Sequence, residues 1–432
     1  MARAPPGSRL IVRSKITYRI TPQSWRTTVR TSSPRLRWTA AAAATALIAS
    51  LTLGLATEAT AAPAAGPAGV AAAAGRSALP PLDPAAIRQA LAGRPAADVS
   101  GAFVRVTGSG GHFTGTSGEV DPDGRFRIGS ISKVFTATVV LQLAAEGRLD
   151  LSGTVQQYLP GLLPTDYPPI VVGQLLNHTS GLPNGGTWGR PGTAWFTEHR
   201  FDSRTPEEVV ASLAGEPMSF TPGTAQQYNG MNTFVAGLLI EKVTGHSYTH
   251  EVGARIIRPL GLHDTSVPDA DDFALRDPAA RPFLVVTDAD GSSHQVDVTE
   301  QSPWPWAEGG LISSAPDLDR FITALLGGRL LPPAQQELLF TVPDVPNHRS
   351  SHCTGPTNPG GRACMSMGLE RAQLGDLVVW GKTGSRPGWT SGVFATRDLR
   401  RKLVYSLNPT GLDGAEAPYL LRVAAAAAGV PQ

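Results

Sequence analysis

The sequence predicts an α+β fold: one antiparallel β-sheet flanked by N- and C-terminal helices, with a mostly helical lobe inserted between its strands. Three observations predict it. Two strand-like runs lie early, at 102–106 and around 112–116, on either side of the turn Gly108-Ser109-Gly110-Gly111. Three more lie late, at 377–380, 392–396 and 402–406. The signals between them are helical, so distant parts of the chain must complete one sheet.

The elements follow in order. Scattered arginines up to Arg37 precede a charge-free run at 38–57 and then Ala59-Thr60-Ala61, followed by Ala62. This matches a secretory signal peptide over 1–61 with a small-residue cleavage site. An uncleaved membrane anchor is the alternative, because about 20 residues can span a bilayer. Residues 62–79 are nearly all alanine, glycine and proline, a linker or pro-segment that cannot pack a core. The folded domain is expected over 80–432.

Asp83 before Pro84 reads as an N-cap with proline at the first helical position, and Ile87 and Leu91 supply an apolar stripe. An apolar strand end at 126–129 leads into an apolar helix. Thr205-Pro206-Glu207-Glu208 is a capping box, and 233–244 is a strongly apolar helix. The last helix starts near Ala415. With 432 residues the chain can bury roughly 70–75% of its unfolded surface. A formal net charge of +2, with much of the positive charge in the first forty residues, argues against nucleic acid as a partner.

Cys353 and Cys364 are the only cysteines, and in an exported protein they are expected to pair. Their spacing is not that of a Cys-x-x-Cys redox motif. Closing a loop of this size is worth about 3 kcal/mol.

The chemistry centres on Ser130-Ile131-Ser132-Lys133. Positions three apart share a helix face, so Lys133 can reach the Ser130 hydroxyl. Free N–H groups in the first helical turn favour a developing oxyanion. Only five of the 37 basic residues are lysine, and arginine cannot serve as a base near neutral pH. Acting as that base requires a neutral Lys133. Bringing a lysine from about 10.4 to about 7 takes about 4 to 5 kcal/mol, for which burial and the nearby cation of Lys382 are the expected sources. Alone, Ser-x-x-Lys also fits a capping serine beside a solvated lysine. Tyr228 and the strand motif Lys382-Thr383-Gly384 add weight, with Thr383 offering a hydroxyl to an anionic group and Gly384 letting a substrate backbone approach.

From about Pro80 onward the chain resembles the serine β-lactamase and penicillin-binding family, specifically the class C β-lactamase and secreted D-alanyl-D-alanine carboxypeptidase branch. The resemblance rests on residues 126–133, 177–182, Pro222-Gly223-Thr224 and Gly381-Lys382-Thr383-Gly384. It implies an acyl-enzyme on Ser130, proton transfer shared by Lys133 and Tyr228, electrostatic tuning by Lys382, and an oxyanion hole from the Ser130 and Ser385 amides. It further implies a secreted monomer that needs no cofactor and no metal, acts on a small-molecule or peptidoglycan peptide substrate, and is acylated by β-lactams. The membrane would enter only through export. A β-lactamase, an esterase of the same fold and a non-catalytic penicillin-binding sensor remain alternatives.

Two positions depart from the family's pattern. Its middle motif is Tyr-x-Asn, whereas this chain has Tyr228-Asn229-Gly230, so the amide that binds the substrate's acyl side is missing unless Asn229 or Asn232 replaces it. Glu308 stands before Gly309-Gly310, where a small residue is expected. Trp304 and Trp306 either line a substrate cleft or anchor a loop. His246 and His250 have the spacing of a metal pair but lie outside a recognisable zinc motif. His178 fits a structural role better than that of a base.

Overall fold

The two ends of the folded region meet in one sheet. The computed structural model describes residues 79–185, 192–354 and 361–430. The expected signal segment, 1–61, and all of the 62–79 linker except Leu79 lie outside the described residues.

Ten strands are present among the described residues: β1 (Val99–Thr107), β2 (Phe113–Ser117), β3 (Arg125–Arg127), β4 (Phe283–Thr287), β5 (Ser293–Asp297), β6 (Ile312–Ser314), β7 (Glu370–Leu374), β8 (Leu377–Arg386), β9 (Trp389–Ala395) and β10 (Lys402–Pro409). Six of them form an antiparallel sheet in the order β2-β1-β10-β9-β8-β7. The five expected strands all lie in it, and β7 adds an edge. β3 pairs with β6, and β4 with β5, as separate two-stranded ladders.

The terminal helices Pro84–Ala92 and Ala417–Ala428 cover one face, where Ile87, Leu91, Val104, Tyr419 and Val423 pack together. Asp83 caps the first helix by accepting from the amides of Ala85 and Ala86. The Tyr419 hydroxyl donates to the Leu91 carbonyl at 2.9 Å, tying the two helices together.

Helices Ser132–Ala145 and Ala315–Leu326 lie on the other face, with Phe135 stacked on Phe321 at 3.9 Å. Helices Ser132–Ala145 and Met231–Thr244 are apolar nearly all round, so both are central rather than superficial. The intervening lobe is mostly helical, and Thr205 with Glu208 forms the expected capping box at its Pro206–Ala211 helix. Among the described residues no helix is long and apolar enough to cross a membrane.

Candidate active site

Ser130 lies one step ahead of the expected helix, in the 3₁₀ turn Gly129–Ile131 that feeds Ser132–Ala145. Gly129 has φ 51°, and a β-carbon there would stand 2.6 Å from the Ser385 nitrogen. β8 therefore presses directly against the Ser130 turn. A β-carbon on Gly384 would come within 2.0 Å of the Ile128 carbonyl oxygen. The structure thus assigns this glycine to the approach of two protein backbones, where the sequence had suggested the approach of a substrate.

Lys133 is buried, and its amine donates to Ser130 Oγ (2.9 Å), Glu308 O (2.8 Å) and Glu308 Oε1 (2.6 Å). An ammonium has three N–H bonds, and here each has an acceptor. Burial disfavours the charge, but the Glu308 carboxylate, with a smaller contribution from Tyr228, outweighs it and raises the pKa above the ordinary lysine value. This corrects the expectation of a lowered Lys133: in the resting arrangement Glu308 holds the proton on.

Glu308 is aimed by its own turn. Trp306–Gly309 is a short helical segment whose Ala307 carbonyl accepts from Thr136 Oγ1 at 3.0 Å, while the Leu311 amide donates to Ser132 Oγ at 3.2 Å. The carboxylate fills the space beside Gly230, whose β-carbon would lie 2.9 Å from both Cγ and Oε1 of Glu308. Gly230 has φ −64°, a conformation open to any residue, so what its missing side chain provides is room. The two departures from the family pattern are therefore one exchange.

The Tyr228 ring lies between the two lysines, 5.1 Å from Lys133 Nζ and 4.6 Å from Lys382 Nζ. Its buried hydroxyl makes no hydrogen bond to the described residues. Lys382 has its own counter-charge, with Glu370 Oε2 at 3.6 Å, and it donates to Thr383 Oγ1 at 3.1 Å. Burial alone would raise the Glu370 pKa, but His352 and Lys382 hold it below the usual value. Sequence reasoning missed Glu370 because β7 was not recognised, and it missed His352, whose ring lies 4.2 Å from that of Tyr228.

Both polar atoms of the Asn232 side chain have protein partners. Its Oδ1 accepts from Ser180 Oγ at 2.5 Å, and its Nδ2 lies 3.1 Å from His178 Nδ1. Asn229 is tied up similarly, donating to the carbonyls of Leu182 and Pro183. These internal bonds engage the side-chain amides of both residues. His178 Nδ1 also accepts from the Asn229 amide, and burial with the charges of Lys133 and Lys382 drives its pKa well below 6.5. His178 is a neutral brace.

Thr383 is half-buried and Ser385 exposed, both on β8 beside the Ser130 turn. Trp304 stacks on Phe234 at 6.3 Å and is packed against the core, which favours the anchoring role. His246, His250 and Glu251 lie close enough to share an ion, but the buried Glu251 carboxylate receives Arg255 Nε at 2.5 Å. That leaves two exposed imidazoles, a poor ligand set. The expected disulfide between Cys353 and Cys364 is present.

The Beta-lactamase family model matches residues 85–427. A D-stereospecific amidohydrolase from Streptomyces sp. has a similar structure, with a TM-score of 0.66 and 34% identity, covering 78% of this chain and 97% of that one. A D-amino acid amidase from Ochrobactrum anthropi SV3 has a TM-score of 0.65 and 25% identity, covering 79% and 97%. Esterase EstB from Burkholderia gladioli is 33% identical over 160 residues, 34% of this chain and 40% of that protein. The chain thus spans about two fifths of the length of the curated relatives it matches. The motifs around Ser130 and the match across nearly the whole folded region lead to one statement of kinship: this chain belongs to the Beta-lactamase family of serine hydrolases.

Proposed function

We propose that the protein hydrolyses amide bonds at the carbonyl of a D-configured residue through an acyl-enzyme on Ser130. The observation that carries this reading is the 2.9 Å contact between Ser130 Oγ and Lys133 Nζ inside a cluster that also holds Tyr228 and Lys382. Similarity to a D-stereospecific amidohydrolase and a D-amino acid amidase supports the bond type and the configuration.

In the forward reaction Ser130 Oγ attacks the carbonyl carbon and its proton passes to a neutral Lys133. The amides of Ser130 and Ser385 take the oxyanion; losing one such donor typically costs about a hundred- to a thousandfold. The C–N bond breaks as Lys133 and Tyr228 return a proton to the leaving nitrogen. Water then attacks the ester, frees the acid and restores the Ser130 hydroxyl. Lys382 and Thr383 would face an anionic leaving group, as in a D-alanyl-D-alanine carboxypeptidase working on peptidoglycan stem peptides after export, as a monomer acylated by β-lactams. An esterase is the second reading, favoured by the similarity to Esterase EstB.

The test is intact-mass measurement after incubation with benzylpenicillin, D-alanyl-D-alanine peptides and D-amino acid amides, with Ser130→Ala as control. The expected result is a Ser130-dependent adduct or turnover of a D-configured amide. Turnover confined to esters would favour the second reading, and adducts that persist in Ser130→Ala would overturn both.

A further inference from the structure

We propose that Glu308 is a specificity-determining residue whose carboxylate, in the space left open by Gly230, receives the free α-ammonium of the acyl donor. This rests on the acyl-enzyme reading above and narrows it to D-aminoacyl amides and peptides with an unblocked N-terminus, in preference to N-acylated donors, which include stem peptides and acylamino β-lactams.

The argument starts from position. Glu308 Oε1 is 2.6 Å from Lys133 Nζ, which is itself 2.9 Å from the nucleophile. A substituent on the carbon next to the attacked carbonyl is only two bonds from the reacting centre, so an α-nitrogen falls in the neighbourhood of this carboxylate. The Glu308 side chain is 26% exposed against 5% for Lys133, so Glu308 is the more accessible member of the pair.

Charge then decides what fits. An ammonium meets a complementary group, whereas an N-acylated donor turns a carbonyl dipole and an uncharged N–H toward a carboxylate that must lose water to accommodate it. The polar groups offered in place of the missing amide for an acylamino substrate, on Asn229 and Asn232, are bonded to Leu182, Pro183, Ser180 and His178. Recognition and chemistry are also coupled. A bound ammonium competes with Lys133 for Glu308, loosening the proton that Lys133 must lose before it can accept one from Ser130. The preference should therefore appear in kcat as well as in KM.

The experiment compares kcat/KM for D-alanine p-nitroanilide and its N-acetyl derivative, in the wild type and in Glu308→Gln. Phenyl acetate, which has no amine, serves as a third substrate. The expected wild-type ratio favours the free amine by about tenfold or more, and Glu308→Gln collapses it by a similar factor. Replacing Gly230→Asn together with Glu308→Ala should move the preference toward the N-acetyl substrate. A wild-type ratio at or below one overturns the proposal even if no variant folds, as does a ratio unchanged in folded Glu308→Gln. Failure of Ser130-dependent turnover on all three substrates would sink the acyl-enzyme reading instead, so the two failures are distinguishable.

Discussion

Glu308 and Lys133 form an ion pair at 2.6 Å beside Ser130, and the same lysine also donates to the Glu308 backbone carbonyl. The pair keeps Lys133 protonated. Because the base form must be neutral, activity on a substrate without an amine should climb with pH into the alkaline range. Removing the carboxylate lowers the Lys133 pKa, so Glu308→Gln should move the acidic limb of the profile to lower pH. A kcat/KM–pH series on phenyl acetate checks this, and an unmoved limb contradicts it.

Gly384 lets β8 touch the Ser130 turn, since a β-carbon there would meet the Ile128 oxygen at 2.0 Å. Gly384→Ala should cost about 1 to 3 kcal/mol through overpacking. It should also lower acylation by more than the stability loss explains, because Ser385 is displaced from Ser130. Thermal melting and acylation rates, measured on the same sample, separate the two effects.

His178 and His352 are both buried with pKa values below 6.5; burial is the largest cause, followed by neighbouring charges. A depressed histidine pKa leaves stability intact above the unfolded value. As pH falls below 6.5 the unfolded chain takes up these protons first, so stability drops toward the folded pKa values. Tm should therefore fall between pH 7 and pH 5, and His178→Asn should flatten part of that slope. A slope unchanged by the substitution would count against it.

The Cys353–Cys364 bridge lies next to His352, whose ring packs on Tyr228 at 4.2 Å. Replacing both cysteines by serine should cost about 3 kcal/mol. Activity should fall as well, since the stop behind Tyr228 is loosened. Denaturant titration and steady-state kinetics of the double variant test the two halves separately.

Much of this was legible in the sequence, for local reasons. Asp83-Pro84 and Thr205 through Glu208 announce their helices through capping chemistry, and the late β-branched runs announce β8 to β10. The Ser130 and Lys133 pairing followed from helical spacing, given weight by Tyr228 and the Lys382-Thr383-Gly384 strand motif. What stayed hidden depends on contacts far apart in the chain. β7 carries Glu-Arg-Ala-Gln-Leu, with little alternation, and is a strand because β8 lies beside it. Its Glu370 could not be matched to Lys382 without that pairing. Gly230 and Glu308 each looked like an isolated oddity, and only space relates them. The sign of the Lys133 shift was misjudged for the same reason: Lys382 was visible as a cation, but its partner and the nearer carboxylate were not.

The pairing of β1 with β10 joins Val99 to Pro409 at the middle of the sheet. Closing so long a loop is entropically costly, and contacts of such high sequence separation slow folding. β1 and β2 can form a hairpin early, but one edge of β1 stays unpaired until the C-terminal strands arrive. Truncation before Lys402 would therefore do more than shorten the protein. It would leave a template edge open in the centre of the sheet, where a second chain's β10 could pair, making aggregation or strand exchange the characteristic failure of this fold.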